Sequence, residues 1–167
     1  PAAEYPACAV FDVNKAGHAA IVSGGFWYAG PKWEKHFLGA VEVIRGRFDD
    51  YSNLTMDVNG DGWLDIYVCA ISEKSGLRGR NELFINNHDG TFTEKALEYG
   101  LGFSCFSNQA AFFDYDHDGD LDCYILNQSD RPFQNIVDTS NRRKYDRHSG
   151  DIFLRNDLNT PAKKFTD

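Results

Sequence analysis

Short apolar stretches rich in Phe, Tyr, Ile and Val alternate along this chain with polar runs rich in Asp, Asn and Gly. Apolar segments of this length, composition and local alternation predict strands rather than helices. The predicted strands fall into three sets. The first is Ala7–Asp12, Ala19–Ser23, Gly25–Tyr28 and Trp33–Leu38, with turns at Gly24-Gly25 and Ala29-Gly30-Pro31. The second is Asn53–Asp57, Leu64–Ala70, Glu82–Asn86 and Thr91–Thr93, its last two strands joined through Asn87-His88-Asp89-Gly90, where Asp-Gly accepts the positive φ of a tight turn. A short helical turn, Glu94–Tyr99, then ends at Gly100, a natural C-cap. The third set is Gln109–Asp114, Leu121–Asn127, Asp151–Asn156 and Lys163–Thr166, with a polar insertion over 128–150.

The polar run between the first two strands of each set has a repeated form. Asp114-Tyr115-Asp116-His117-Asp118-Gly119-Asp120-Leu121-Asp122 places carboxylates at positions 1, 3, 5 and 9, with Gly119 at the sharp bend of position 6. Such a loop turns alternate side chains inward, where their oxygens can converge on one hard cation. Without a cation these acids repel one another. Asp57-Val58-Asn59-Gly60-Asp61-Gly62-Trp63-Leu64-Asp65 repeats the pattern, and a third copy beginning at Asp12 has Ala16 and Ala20 at positions 5 and 9. That third loop, Asp12–Ala20, keeps its turn and is expected to be empty. An EF-hand would need a Glu at position 12 and flanking helices. Val68 and Ile125 stand there instead, between strands.

The three loop starts, at 12, 57 and 114, are 45 and 57 residues apart, spacings that suit propeller blades. The repetition extends further, for Glu82-Leu83-Phe84-Ile85-Asn86-Asn87 is echoed by Asp151-Ile152-Phe153-Leu154-Arg155-Asn156, and Thr91-Phe92-Thr93-Glu94 by Lys164-Phe165-Thr166-Asp167. The expected division is a degenerate blade over 1–40, a calcium-loop blade over 48–102, and a second over 103–167 that carries the insertion.

The chain has 167 residues, 42% hydrophobic and 14% aromatic, enough for a packed core. Its formal charge of −8 argues against a nucleic-acid partner, and much of it lies in the two acidic loops, where two calcium ions would offset about four charges. No apolar run is long enough to span a bilayer. The start at Pro1 implies a removed leader or an internal piece. Cys8, Cys69, Cys105 and Cys123 match no zinc spacing. Buried free thiols in strands and a disulfide formed in oxidising surroundings are both open.

Together the loops and strand echoes resemble the FG-GAP/VCBS repeat family, whose blades also occur in the N-terminal propeller of integrin α subunits. From Asn81 onward the chain is most similar to bacterial VCBS proteins of the ASPIC/UnbV and cartilage-acidic-protein-like kind. The resemblance implies an all-β fold of β-propeller blades of four antiparallel strands, about three being present, as part of a seven-bladed propeller. It also implies two Ca2+ sites. One would take side-chain oxygens from Asp57, Asn59, Asp61 and Asp65 with the Trp63 carbonyl, the other from Asp114, Asp116, Asp118 and Asp122 with the Asp120 carbonyl. Three blades do not close a ring, so the remaining blades or other subunits are expected as partners.

Several segments have both a functional and a plain reading. Arg131, Arg142, Arg143, Lys144, Arg147 and His148, interleaved with Phe133 and Tyr145, make the insertion either a docking loop or a solvated connection. Phe26-Trp27-Tyr28 with Trp33 either stack on sugar rings or fill the core between blades. Asn53-Leu54-Thr55 and Asn127-Gln128-Ser129 match the glycosylation sequon. The histidines and serines show no catalytic spacing. The expected function is therefore a non-enzymatic, calcium-stabilised module that presents loops to a protein or glycan ligand in an extracellular, cell-surface or periplasmic setting. A propeller portion of a secreted polysaccharide-active enzyme, or a structural subunit of a larger extracytoplasmic assembly, are the alternatives.

Overall fold

A computed structural model describes residues 7–41, 43–44, 47–48, 50–72, 78–128 and 149–167. Three sheets of four antiparallel strands follow one another along the chain, each a simple meander. The first holds β1 (Cys8–Phe11), β2 (Ala20–Ser23), β3 (Phe26–Ala29) and β4 (Glu34–Phe37). A two-stranded ribbon, β5 (Val43–Ile44) and β6 (Arg47–Phe48), leads into the second sheet. That sheet holds β7 (Asp50–Met56), β8 (Asp65–Ala70), β9 (Glu82–Asn86) and β10 (Phe92–Glu94), followed by α1 (Ala96–Tyr99). The third holds β11 (Ser107–Phe113), β12 (Asp122–Asn127), β13 (Ile152–Asn156) and β14 (Phe165–Thr166). The all-β fold and its four-stranded blades are as the sequence predicts. Helix α1 ends at Gly100 with φ 76°, whose N–H bonds back to the last turn.

The second sheet lies between the other two, and its strand β8 shows why position in the stack matters. All six of its residues are buried. Ile66 and Val68 join Phe11, Val13, Val22, Trp27 and Phe84 in the core shared with the first sheet. Tyr67 and Cys69 join Leu83, Leu101, Ala110, Cys123, Ile125, Leu154 and Phe165 in the core shared with the third. A strand covered on both faces reads as a continuous apolar run, as Asp65-Ile66-Tyr67-Val68-Cys69-Ala70 nearly does.

The outer sheets each keep one face open. Aligned on their loops, Phe113 and Leu126 of the third sheet stand where Met56 and Cys69 stand in the second. Met56 and Cys69 are buried, whereas Phe113 and Leu126 are each 42% exposed. The third sheet thus repeats the chemistry of a face that the second sheet buries beneath it.

This stacking corrects three expectations. Cys8 is exposed, because it lies on the open face of the first sheet, while Cys69, Cys105 and Cys123 are buried free thiols. Burial pushes the Cys69 thiol up to about 12, which makes it inert. Of the aromatic group, Trp27 fills the core and stacks on His36 at 4.1 Å, but Trp33 is exposed on the turn into β4. The strand echo is displaced by one residue. Ile66 pairs with Phe84 and Cys123 with Leu154, so Leu154, and not Phe153, is the counterpart of Phe84. One step along a strand exchanges its faces, and Phe153 accordingly packs on Phe113 and Tyr115 of the open face.

Of the insertion read over 128–150, residues 129–148 lie outside the described residues, with all of its named basic and aromatic side chains. Its two ends are pinned together, because Asn127 donates its amide to the Gly150 carbonyl at 2.8 Å and its N–H to the Asp151 carboxylate at 2.9 Å. The sequon asparagines are committed elsewhere as well, with the Asn53 amide donating to the Ala7 carbonyl at 3.2 Å.

Candidate metal centre

Each blade's first two strands are joined by a loop wound in the same way. Positions 4 and 6 take left-handed backbone in all three: Lys15 and Gly17, Gly60 and Gly62, His117 and Gly119. Glycine meets the steric demand at position 6, where φ is 78°, 83° and 95° in chain order. The position 1 aspartate closes the turn by accepting two backbone N–H groups. Asp12 accepts from Ala16 and Gly17, Asp57 from Asp61 and Gly62, and Asp114 from Asp118 and Gly119. The degenerate first loop therefore keeps the full backbone wind without its later acids.

Position 9 does a second job. Asp65 accepts the Val58 N–H on one oxygen and the Asn86 N–H on the other, at 3.1 and 2.9 Å. Asp122 does the same with Tyr115 and Asn156, both at 2.8 Å. Both carboxylates are fully buried, and each ties the loop to the end of its blade's third strand. Asn86 and Asn156 complete the joint, because their amides reach the Leu64 and Leu121 carbonyls at 3.3 and 3.1 Å. Reasoning from the metal pattern alone misses both asparagines. Their signal is the Asn that ends the third strand in each of the two blades with an acidic loop.

In the third blade, Asp114, Asp116 and Asp122 each bring a carboxylate oxygen within 4.8 Å of the others. Asp118 instead turns one oxygen to the Asp120 N–H at 3.1 Å. The Asp120 carboxyl is pushed up to about 6 by burial and then by Asp118 and Asp122, and its Oδ1 meets no donor among the described residues. An all-oxygen set under this mutual repulsion fits a hard divalent cation. In the second blade Asn59 replaces one acid. Asp65 is pushed up to about 6, by burial first, although its two backbone donors and the nearby Asp61 and Asp57 also act on it. Asp61 accepts the Trp63 N–H on Oδ1, and its Oδ2 meets the Asn59 amide at 2.9 Å and His88 Nε2 at 3.0 Å. Burial works against ionisation of Asp61, yet those donors together hold its carboxyl below the usual range. Val68 and Ile125, at the EF-hand's position 12, are buried strand residues with no ligand oxygen in their side chains.

Residues 57–125, from the first acid of one loop through the whole of the next, match the family model of the FG-GAP-like repeat. Over that segment the chain is similar to the FG-GAP-like repeat. No curated protein matches the chain. The matched segment contains both acidic loops and strands β8 to β11, so the three-sheet architecture and the family match agree on a propeller-type module. Among the described residues no helix is long and apolar enough to cross a membrane.

Proposed function

We propose that this chain is a calcium-stabilised, non-enzymatic FG-GAP module of an extracytoplasmic protein. The observation that carries the reading is the convergence of Asp114, Asp116 and Asp122 in a loop whose backbone wind recurs in the other blades. Loops of FG-GAP repeats generally hold calcium. In the third blade Asp114, Asp116, Asp118 and Asp122 would hold the ion with the Asp120 carbonyl. In the second, Asp57, Asn59, Asp61 and Asp65 would do so with the Trp63 carbonyl. Bound there, calcium screens the acids and fixes the connection between a blade's first two strands. Ligand linkage then converts occupancy into stability.

The open faces of the first and third sheets are suited to further blades of the same kind. Presentation of a protein or glycan ligand falls to the ends opposite the metal loops, where β12 and β13 are joined. The insertion leaves there from feet locked by Asn127, and a long loop on pinned feet is the usual way a rigid scaffold displays a binding segment. The test is calorimetric titration with calcium, together with thermal melts in calcium and in chelator. Two ions per chain and a calcium-dependent rise in Tm, with one ion lost in Asp116→Ala, are expected. A melt indifferent to chelator and no heat of binding would overturn the reading.

A further inference from the structure

The two acidic loops are unlike in what surrounds them. The loop at 114–122 has an aspartate at every odd position, whereas 57–65 has Asn59 and Trp63 at two of them. Asp61 Oδ2, which also takes the Asn59 amide, is engaged by His88, which has a left-handed backbone at φ 67° and is fixed by its N–H to the Asn86 side chain at 2.9 Å. The His88 ring also stacks on Trp63 at 4.8 Å. At the equivalent place in the third blade stands Leu158, whose N–H bonds to Asn156 in the same way but whose side chain offers no donor.

A cation arrives from the neighbouring blade. Lys15, in the acid-poor first loop, lies with Nζ 4.5 Å from the centre of the Trp63 ring. The Asn86 amide donates to the Val13 carbonyl at 3.0 Å and holds the two loops side by side. Every difference acts in one direction. The 57–65 loop has fewer charges for a cation, a competing donor on one of its acids, and an ammonium group close by. Cation affinity in oxygen sites follows ligand charge, and a like charge nearby opposes binding.

We propose that His88 and Lys15 set the calcium affinity of the 57–65 loop below that of the 114–122 loop, so that the two loops fill at different calcium concentrations. The inference rests on the calcium reading above. His88 is a positioning residue here, acting through Asp61, and Lys15 couples the second blade's site to the presence of the first blade.

Terbium replaces calcium as the probe, because its luminescence can be excited through a nearby indole. Trp63 is the sole tryptophan in either acidic loop. The tryptophan-sensitised signal therefore reports the second blade alone, and calorimetry with calcium reports both. The wild-type signal is expected to follow the weaker of two binding steps. His88→Leu should tighten that step about threefold to tenfold, the worth of one hydrogen bond given up before binding. Lys15→Asn, which keeps a residue tolerant of left-handed backbone, should tighten it about twofold to fivefold. The stronger step should not move, and neither should the melt in chelator for Lys15→Asn. Equal affinities, a tryptophan signal that follows the stronger step, or variants that leave the weaker step unchanged would overturn the inference and spare the calcium reading. Absence of binding at both loops would overturn both.

Discussion

Asp65 accepts the backbone N–H of Asn86 at 2.9 Å from a fully buried carboxylate, although the two residues belong to different strands and lie 21 positions apart. Its other oxygen takes the Val58 N–H, so one side chain satisfies two backbone donors within a blade. Asp65→Ala would leave both unpaired, and a buried donor left unsatisfied costs about 1–3 kcal/mol. We expect a loss of about 2–4 kcal/mol in urea unfolding, in chelator as well as in calcium. Asp61→Ala, at an exposed turn, should stay within about 0.5 kcal/mol of wild type in chelator. If both variants are indifferent in chelator, the position 9 acid is a ligand and nothing more.

Asn81 is fully buried between the second and third sheets with its amide fully used. It accepts the Ala70 N–H and donates to the Tyr67 hydroxyl and the Ser107 hydroxyl, at 2.9, 3.0 and 2.9 Å. The chain of bonds continues from Ser107 to Asn127 and from Tyr67 to the Leu101 carbonyl. Satisfied networks of this kind fix one packing of a seam, and removing a member orphans the others. Asn81→Ala is expected to cost about 2–3 kcal/mol, whereas Asn81→Asp should cost less only where the pH keeps it protonated. Equilibrium unfolding of the two variants decides the matter, and a neutral Asn81→Ala would show that the network carries no stability.

These two sites show what the sequence could and could not disclose. The strands were legible because β-branched and aromatic residues cluster between Asp-Gly turns, and the loops because Asp114 to Asp122 alternate around Gly119. Neither kind of signal reveals partners across a seam. Asn81 is one polar letter before a strand, and its donors and acceptors come from residues 11 to 26 positions away. The Phe84 and Phe153 echo misled by one position because identical letters sit on opposite faces in the two blades. The pattern recorded which residues are apolar, but only the stacking order decides that Cys69 is covered and Leu126 is not.

Gly100 ends α1 where the chain passes against the last strand of the third sheet. Its φ is 76°, and a Cβ there would lie 2.6 Å from the Phe165 carbonyl oxygen. Two penalties add, one for left-handed backbone in a residue with a side chain and one for a clash with backbone that cannot swing away. Gly100→Ala is expected to lose about 2 kcal/mol or more. Gly60→Ala carries only the first penalty, since nothing lies within 4 Å of its added Cβ, and should lose about 1 kcal/mol. Equal losses in thermal or urea melts would remove the close approach from the account.

Asp157 follows the third strand of the last blade and is held by the Thr166 hydroxyl and by the Arg155 guanidinium, whose Nε and Nη2 lie 3.1 Å from its two oxygens. The Thr166 hydrogen bond first, and the Arg155 pair next, keep its carboxyl below the ordinary value of 3.8. A carboxylate depressed on folding binds fewer protons in the native state than in the unfolded one. Its contribution is therefore whole above the unfolded value and fades as the pH falls through the native one. Urea unfolding of wild type and Asp157→Ala between pH 6 and pH 2.5 should show a gap that is constant down to about pH 5 and narrows below about pH 3.8. Arg155, two residues before Asp157, supplies only part of the effect, so Arg155→Met should shrink the gap without abolishing its pH dependence. A gap that widens as the pH falls would mean that the native carboxyl is raised, and that the Thr166 hydroxyl accepts from Asp157 instead of donating to it.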